Sequence, residues 1–139
     1  MTTLGISDPP AVKLQSRTRN LLLWVVQGVL AALFLFAGGM KLVMPVEMMI
    51  KQMAFPGLFL RFIGVAETLG ALGLILPWAL RVRRELTPIA AVGLTVVMVG
   101  AFVVTIHTNG FLPASTPLIV GCLLVVVARG RWSSLSSRV

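Results

Sequence analysis

The chain has 139 residues, of which 58% are hydrophobic and only 12% charged, with a mean hydropathy of +0.99. An average soluble domain is about 25% charged, so the composition excludes an ordinary water-soluble domain and points to one bundle-sized membrane domain. The net charge of +8 does not signal nucleic acid, because the basic residues flank apolar runs instead of sharing a solvated face or alternating with aromatics.

Residues 1–20 contain Pro9 and Pro10 and no helical apolar period, which predicts a disordered cytoplasmic tail. Leu21–Met40 follows, longer than the roughly 7–15 residues of a secretory signal core and without an Ala-x-Ala site after it, so it is expected to remain as a membrane helix. Three more apolar runs are Leu58–Leu76, Leu86–Ile106 and Phe111–Val127. The four runs have 17 to 21 residues each, which matches the ~17–25 needed to cross the hydrocarbon core. The expected fold is an all-α membrane bundle of four transmembrane helices over residues 21–128, with 129–139 as a basic cytoplasmic tail. Within the first connection, Val46, Met49, Ile50 and Met53 recur at helical spacing while Glu47 and Lys51 form an i,i+4 pair opposite them, so Pro45–Pro56 should hold a short amphipathic helix at the interface. Prolines are expected only in the tail, the loops or the first or last turns of the runs.

The loops orient the bundle. Lys13, Arg17, Arg19, Arg81, Arg83, Arg84, Arg129, Arg131 and Arg138 fall on one side, nine of the twelve basic residues, and Lys41, Lys51 and Arg61 on the other. By the positive-inside rule both termini are expected in the cytoplasm.

Glu67 lies near the middle of the second run. A charge at the centre of a membrane helix costs about 2.5–3.5 kcal/mol on insertion scales, so it is rarely present without a partner or a role. Its helical neighbours are Leu60, Ile63, Gly64, Gly70, Ala71 and Leu74; three of the six are Gly or Ala, the residues that let helices approach closely. Glu67 is therefore expected inside the bundle, either paired or stripped of its charge.

Cys122 is the sole cysteine and His107 the sole histidine. No thiol relay, disulfide framework, zinc site or di-haem site can be built from them, and no metal site is expected. Any chemistry must use the few polar groups near the spans. Arg61 starts the second span with Glu67 about 9 Å deeper, Lys41 closes the first span at that same side, and His107 with Asn109 closes the third. Gln27, in the other half of the first span, reads as interhelical glue. If consecutive spans pack together, Lys41, Glu67 and His107 converge. Phe36, Ile63, Leu74, Phe102 and Ile106 are then the expected apolar walls of a pocket, with Pro45–Pro56 lying across its mouth.

Two stretches carry a family likeness. Gly38-Gly39-Met40-Lys41-Leu42 closing the first span, followed by Ala66-Glu67-x-x-Gly70-x-x-Gly73-Leu74-x-Leu76-Pro77 in the second, resembles the DoxX family of small four-helix bacterial membrane proteins, over about Gln27 to Pro113. The resemblance implies an inner-membrane protein linked to the quinone pool, sulfur oxidation or oxidative-stress complexes, as with membrane subunits of the related thiosulfate:quinone oxidoreductase group. It carries Lys41 and Glu67 over as candidate catalytic residues. His107, Arg61 and Asn109 are the candidate ligand-binding residues. Many members have an arginine early in the first helix, where this chain has Gln27. The implied function is a redox-associated membrane subunit, a component of an oxidoreductase complex, that binds a quinone-like lipophilic molecule; its partners are the lipid bilayer, that molecule and redox proteins, with no nucleic acid. Two alternatives stand beside it: a small proton-coupled transporter using Glu67, and a non-catalytic scaffold or assembly subunit.

The charge asymmetry generates a direct expectation. A topology reporter fused after Asn109 should report the extracytoplasmic side and one at the C-terminus the cytoplasm; a cytoplasmic signal after Asn109 would overturn the orientation.

Overall fold

The computed structural model describes residues 10–52 and 55–136. The chain forms α1 (Pro10–Val43), α2 (Val46–Gln52), α3 (Gly57–Ala79), α4 (Leu86–Asn109) and α5 (Phe111–Ser136). Four of these, α1, α3, α4 and α5, are long and apolar enough to cross a membrane. Each packs on its neighbours in a ring, α1 on α3, α3 on α4, α4 on α5 and α5 back on α1, while α2 rests on α3. Both described chain ends and the α3–α4 connection lie at one end of this bundle; α2 and the α4–α5 turn lie at the other.

The described helices extend beyond the apolar runs. α1 begins at Pro10, within the stretch expected to be a disordered tail. Proline suits a first helical position, where its missing N–H would have no intrahelical partner, and Lys13-Leu14-Gln15 continue with good helix formers. α5 runs to Ser136, nine residues past Val127, so most of the expected C-terminal tail is helical. Pro117 sits in the second turn of α5, deeper than the position expected for a proline; its lost donor leaves one carbonyl of the preceding turn without an intrahelical partner. Met53, counted on the amphipathic segment, lies outside the described residues.

Side-chain burial divides each helix into a packed face and a lipid-facing one. In α3 the buried residues are Gly57, Leu60, Gly64, Glu67, Ala71, Leu74 and Pro77, spaced three and four apart, the period of a single helix face. Leu30, Ala31, Phe34, Ala71, Leu74, Leu94, Val120 and Leu124 meet in the central core. Outside it, large apolar residues such as Leu22, Val29, Phe36, Phe62, Leu69, Val96 and Ile119 are exposed on every side. An apolar exterior this extensive has no place in water and fits a bilayer. Hydroxyls within the spans turn back on their own helices, Thr68 to the Gly64 carbonyl at 2.8 Å and Thr95 to the Ala91 carbonyl at 2.7 Å, which removes an unpaired donor from the hydrocarbon.

Backbone contact between α1 and α3 sets the site. A methyl group added at Gly38 would fall 2.6 Å from Thr68 Oγ1 and 2.7 Å from the Gly64 carbonyl oxygen, and one at Gly64 would fall 3.0 Å from Lys41 Cβ. Only hydrogen fits between the two helices here. Gly70, part of the small pair Ala66-x-x-x-Gly70, packs within the bundle, since a Cβ there would strike the Leu94 side chain at 2.6 Å. At Gly39 an added Cβ meets nothing within 4 Å.

These clearances separate two neighbouring glycines. Gly38→Ala should destabilise the protein by about 1–3 kcal/mol, the usual cost of overpacking, whereas Gly39→Ala should leave stability unchanged or slightly raised. Thermal unfolding of both variants in mild detergent checks the contrast; equal losses would mean that the α1–α3 contact is looser than described.

Candidate functional site

Lys41 Nζ and Glu67 Oε2 lie 2.7 Å apart, the only salt bridge among the described residues. Helical side chains lean toward the N-terminus of their own helix. α1 and α3 run antiparallel, so Lys41 leans toward the middle of the bundle from one end while Glu67 leans back to meet it. The stem of Lys41 passes over Gly64, where a larger residue would block its path. The glutamate side chain is 5% exposed and that of the lysine 21%, so the carboxylate is inside protein and the ammonium is reachable. Of the three ammonium donors one is used by Glu67, leaving two.

Beside this pair is a cavity of 340 Å³ between α3 and α4, lined by Lys41, Glu67, Phe59, Leu60 and Ile63 on one side and by Val97, Gly100, Ala101, Val104 and Thr105 on the other. Phe55, in the connection after α2, also lines it and packs on Phe59, with ring centroids 5.5 Å apart. At Gly100 an added Cβ meets nothing within 4 Å. The walls are almost wholly apolar and the ion pair supplies the polar end, a combination typical of small-molecule sites.

The other expected site residues take different places. Arg61 Nη1 donates to the Leu42 carbonyl at 2.9 Å; it closes one of the unsatisfied carbonyls at the end of α1 and does not line the cavity. His107 and Asn109 are exposed at the end of α4 and do not converge with Lys41 and Glu67. The reason is rotational: α4 packs through Thr87, Ala91, Leu94 and Met98, and nine residues beyond Met98 a helix has turned about 180° from that face. Among the expected walls, Ile63 lines the cavity, Phe102 lines a separate groove with Pro117 and Cys122, Leu74 is buried deeper and Phe36 faces outward. Glu47 and Lys51 share the exposed face of α2 without closing a salt bridge. No group of three or more His, Cys, Asp or Glu side chains that could hold a metal ion occurs among the described residues.

A second polar layer lies at the end that carries the termini, and the sequence did not announce it. Arg131 was expected to be a tail anchor, yet it is fully buried. Its Nε donates to Gln27 Oε1 at 2.8 Å and its Nη1 to Asn20 Oδ1 at 2.9 Å. The guanidinium lies 4.1 Å from the ring centroid of Trp78 and 5.4 Å from that of Trp24. Gln27 Nε2 in turn donates to the Leu74 carbonyl, which also accepts from Thr87 Oγ1 at 3.4 Å. Gln27 is thus interhelical glue, as its position suggested. The signal that was available is the stripe Asn20, Trp24 and Gln27, spaced four and three along α1: two amide groups and an aromatic face on one side of a helix form a receptor for a cation.

Substitutions at the ion pair should separate charge from packing. Glu67→Gln is expected to insert and fold with a loss of about 1.5–3 kcal/mol, the order of one hydrogen bond to a charged group, because Lys41 is partly exposed and loses its counter-charge, and Glu67→Lys is expected to impair folding. The double variant Lys41→Met/Glu67→Met should recover most of the stability lost by Glu67→Gln, since an apolar pair of similar volume carries no desolvation cost. Thermal unfolding in detergent reads all three; a double variant less stable than Glu67→Gln would show that the pair is a net stabiliser.

The model of the DoxX-like family matches residues 25–128, which takes in Lys41, Glu67 and the whole cavity lining. No curated protein and no solved structure matches the chain.

Proposed function

The chain belongs to the DoxX-like family, and on that premise we propose that it is a redox-associated membrane subunit that holds a quinone-like lipophilic molecule in the cavity between α3 and α4. The observation that carries this reading is the placement of the Lys41–Glu67 pair at the polar end of an apolar cavity. At 340 Å³ the cavity is within the range of about 300–1,000 Å³ common to small-molecule sites. Val97, Ala101, Leu60 and Ile63 offer contacts to a ring or chain. The two unused donors of Lys41 suit a carbonyl oxygen, and Glu67 is within reach to accept or return a proton through the same ammonium. Redox chemistry would come from the bound molecule and a partner protein; Lys41 and Glu67 orient a carbonyl and handle its proton.

The packing disfavours the proton-coupled exchanger. Between the Lys41–Glu67 pair and the Arg131 layer the bundle is filled by Leu30, Phe34, Ala71, Leu74, Leu94 and Leu124, an apolar plug with no fully buried polar side chain among the described residues. A scaffold with a purely structural ion pair is the remaining alternative, and the ligand test decides between them. The inner cell membrane with both termini cytoplasmic goes with this reading, since nine of the twelve basic residues fall in the two terminal segments and the α3–α4 connection of the sequence, the side that the positive-inside rule puts in the cytoplasm.

Gly100 allows the cavity to be filled without touching the ion pair. Protein purified in mild detergent should carry a lipophilic carbonyl compound identifiable by mass spectrometry of an organic extract. Gly100→Leu should reduce its recovery about tenfold, a loss of about 1.4 kcal/mol in binding, while Gly93→Leu, where added atoms also meet open space but outside the cavity, should not. No such compound in wild type, or equal recovery from both variants, would leave the scaffold reading in possession of the site.

A further inference from the structure

Among the described residues no carboxylate answers the buried cation Arg131. The acidic residues among those described are Glu47, Glu67 and Glu85; Glu67 is committed to Lys41, and neither Glu47 nor Glu85 forms a salt bridge. The acceptors that Arg131 does have, Gln27 and Asn20, are neutral amides. A guanidinium offers five N–H donors, and two are used. Arg131 Nη2 is buried without a hydrogen-bond partner, and so is Nε1 of Trp78, the ring against which the guanidinium stacks. Unpaired buried donors cost about 1–3 kcal/mol each, and two of them on side chains in contact with one another describe a place for an acceptor, preferably a negative one.

The surroundings supply access and more positive charge. Asn20 and Trp78, the residues that hold Arg131, also line a cavity of 290 Å³ together with Arg17, Arg19 and Leu23. Arg17 and Arg19 are exposed at its rim, and Arg84 lies 5.1 Å from the Trp78 ring centroid on its own account. Two guanidiniums thus lie against the Trp78 indole, and two more line the cavity beside it.

We propose that this cluster is a phosphate-binding site, with Asn20 and Trp78 as its floor, Arg131 directly behind them and Arg17 and Arg19 as its rim. A phosphate oxygen entering past Asn20 accepts from Trp78 Nε1 and Arg131 Nη2, and the remaining oxygens face the rim arginines; the planar guanidinium fork is suited to this recognition. Two sources present the same group at this depth: the phosphodiester of an anionic phospholipid, whose acyl chains would lie along the exposed apolar faces, and free phosphate from the aqueous side. The inference is independent of the reading of the Lys41–Glu67 cavity, which lies beyond the apolar plug.

The test is thermal unfolding of the purified full chain in mild detergent, titrated separately with phosphatidylglycerol, with phosphatidylcholine and with inorganic phosphate. A rise in Tm with phosphatidylglycerol but not with phosphatidylcholine or inorganic phosphate assigns the site to an anionic lipid; a rise with inorganic phosphate as well assigns it to the phosphate group itself. Trp78→Phe keeps the ring beneath the guanidinium and removes only the N–H, and is expected to weaken the apparent affinity about ten- to a hundredfold, of the order of one hydrogen bond to a charged group. Arg17→Gln/Arg19→Gln, on the exposed rim, should weaken it without changing the basal Tm. If neither phosphatidylglycerol nor inorganic phosphate shifts the wild-type Tm, or if both variants respond as wild type does, the unpaired donors serve water alone and the proposal fails.

Discussion

A charge in hydrocarbon has no water to turn to, and the architecture of this bundle follows from how it answers that constraint. One carboxylate and two of the cations are taken into the packed interior, and each is answered by a helix neighbour. Lys41 and Glu67 answer one another. Arg131 is answered by amides and indole rings. Between these two polar layers the fully buried side chains among the described residues are apolar, and the hydroxyls of Thr68 and Thr95 are turned back onto their own helices. The two ends of the bundle therefore carry different polar groups, an ion pair at one and a guanidinium held by amides and aromatic rings at the other.

Close backbone approach makes the first of these possible. Gly38 and Gly64 remove the side chains that would hold α1 and α3 apart, and the opposite lean of side chains on antiparallel helices brings Lys41 and Glu67 together. Neither feature would suffice alone. With a bulkier residue at Gly64, the lysine stem would be forced outward, and Glu67 would be left with α4, which offers it Val97, Ala101 and Thr105 and no cation. Arg61 is no substitute, since its guanidinium is already tied to the end of α1.

How far the sequence could be read depended on whether the information was local. Span lengths follow from apolar runs, and the buried face of α3 follows from the three-and-four spacing of small residues around Glu67; both are properties of one helix. Lys41 was legible as a partner because depth can be counted along a helix. The rotation of α4 was not legible: Val, Leu and Ile occupy all of its sides, so nothing in its own pattern says which face packs, and His107 fell on the outward side. Arg131 was misread for a related reason. An arginine after an apolar run is ordinarily an anchor, and its burial here depends on residues at the far end of the chain, Asn20 and Gln27, and on Trp78 in another helix.

Those long separations bear on how the protein is made. Asn20 and Gln27 precede Arg131 by 111 and 104 residues, and Leu23 of α1 meets Gly130 of α5. The Lys41–Glu67 contact spans only 26 residues, so α1 and α3 have everything needed to pair as soon as α3 enters the membrane. The Arg131 receptor, by contrast, is complete before its occupant is synthesised. The order of synthesis therefore allows an early hairpin sealed by the ion pair and a late closure in which the last helix brings its arginine to Asn20, Gln27 and Trp78, so a chain truncated before Arg131 would lack the contact that ties α5 to both α1 and α3.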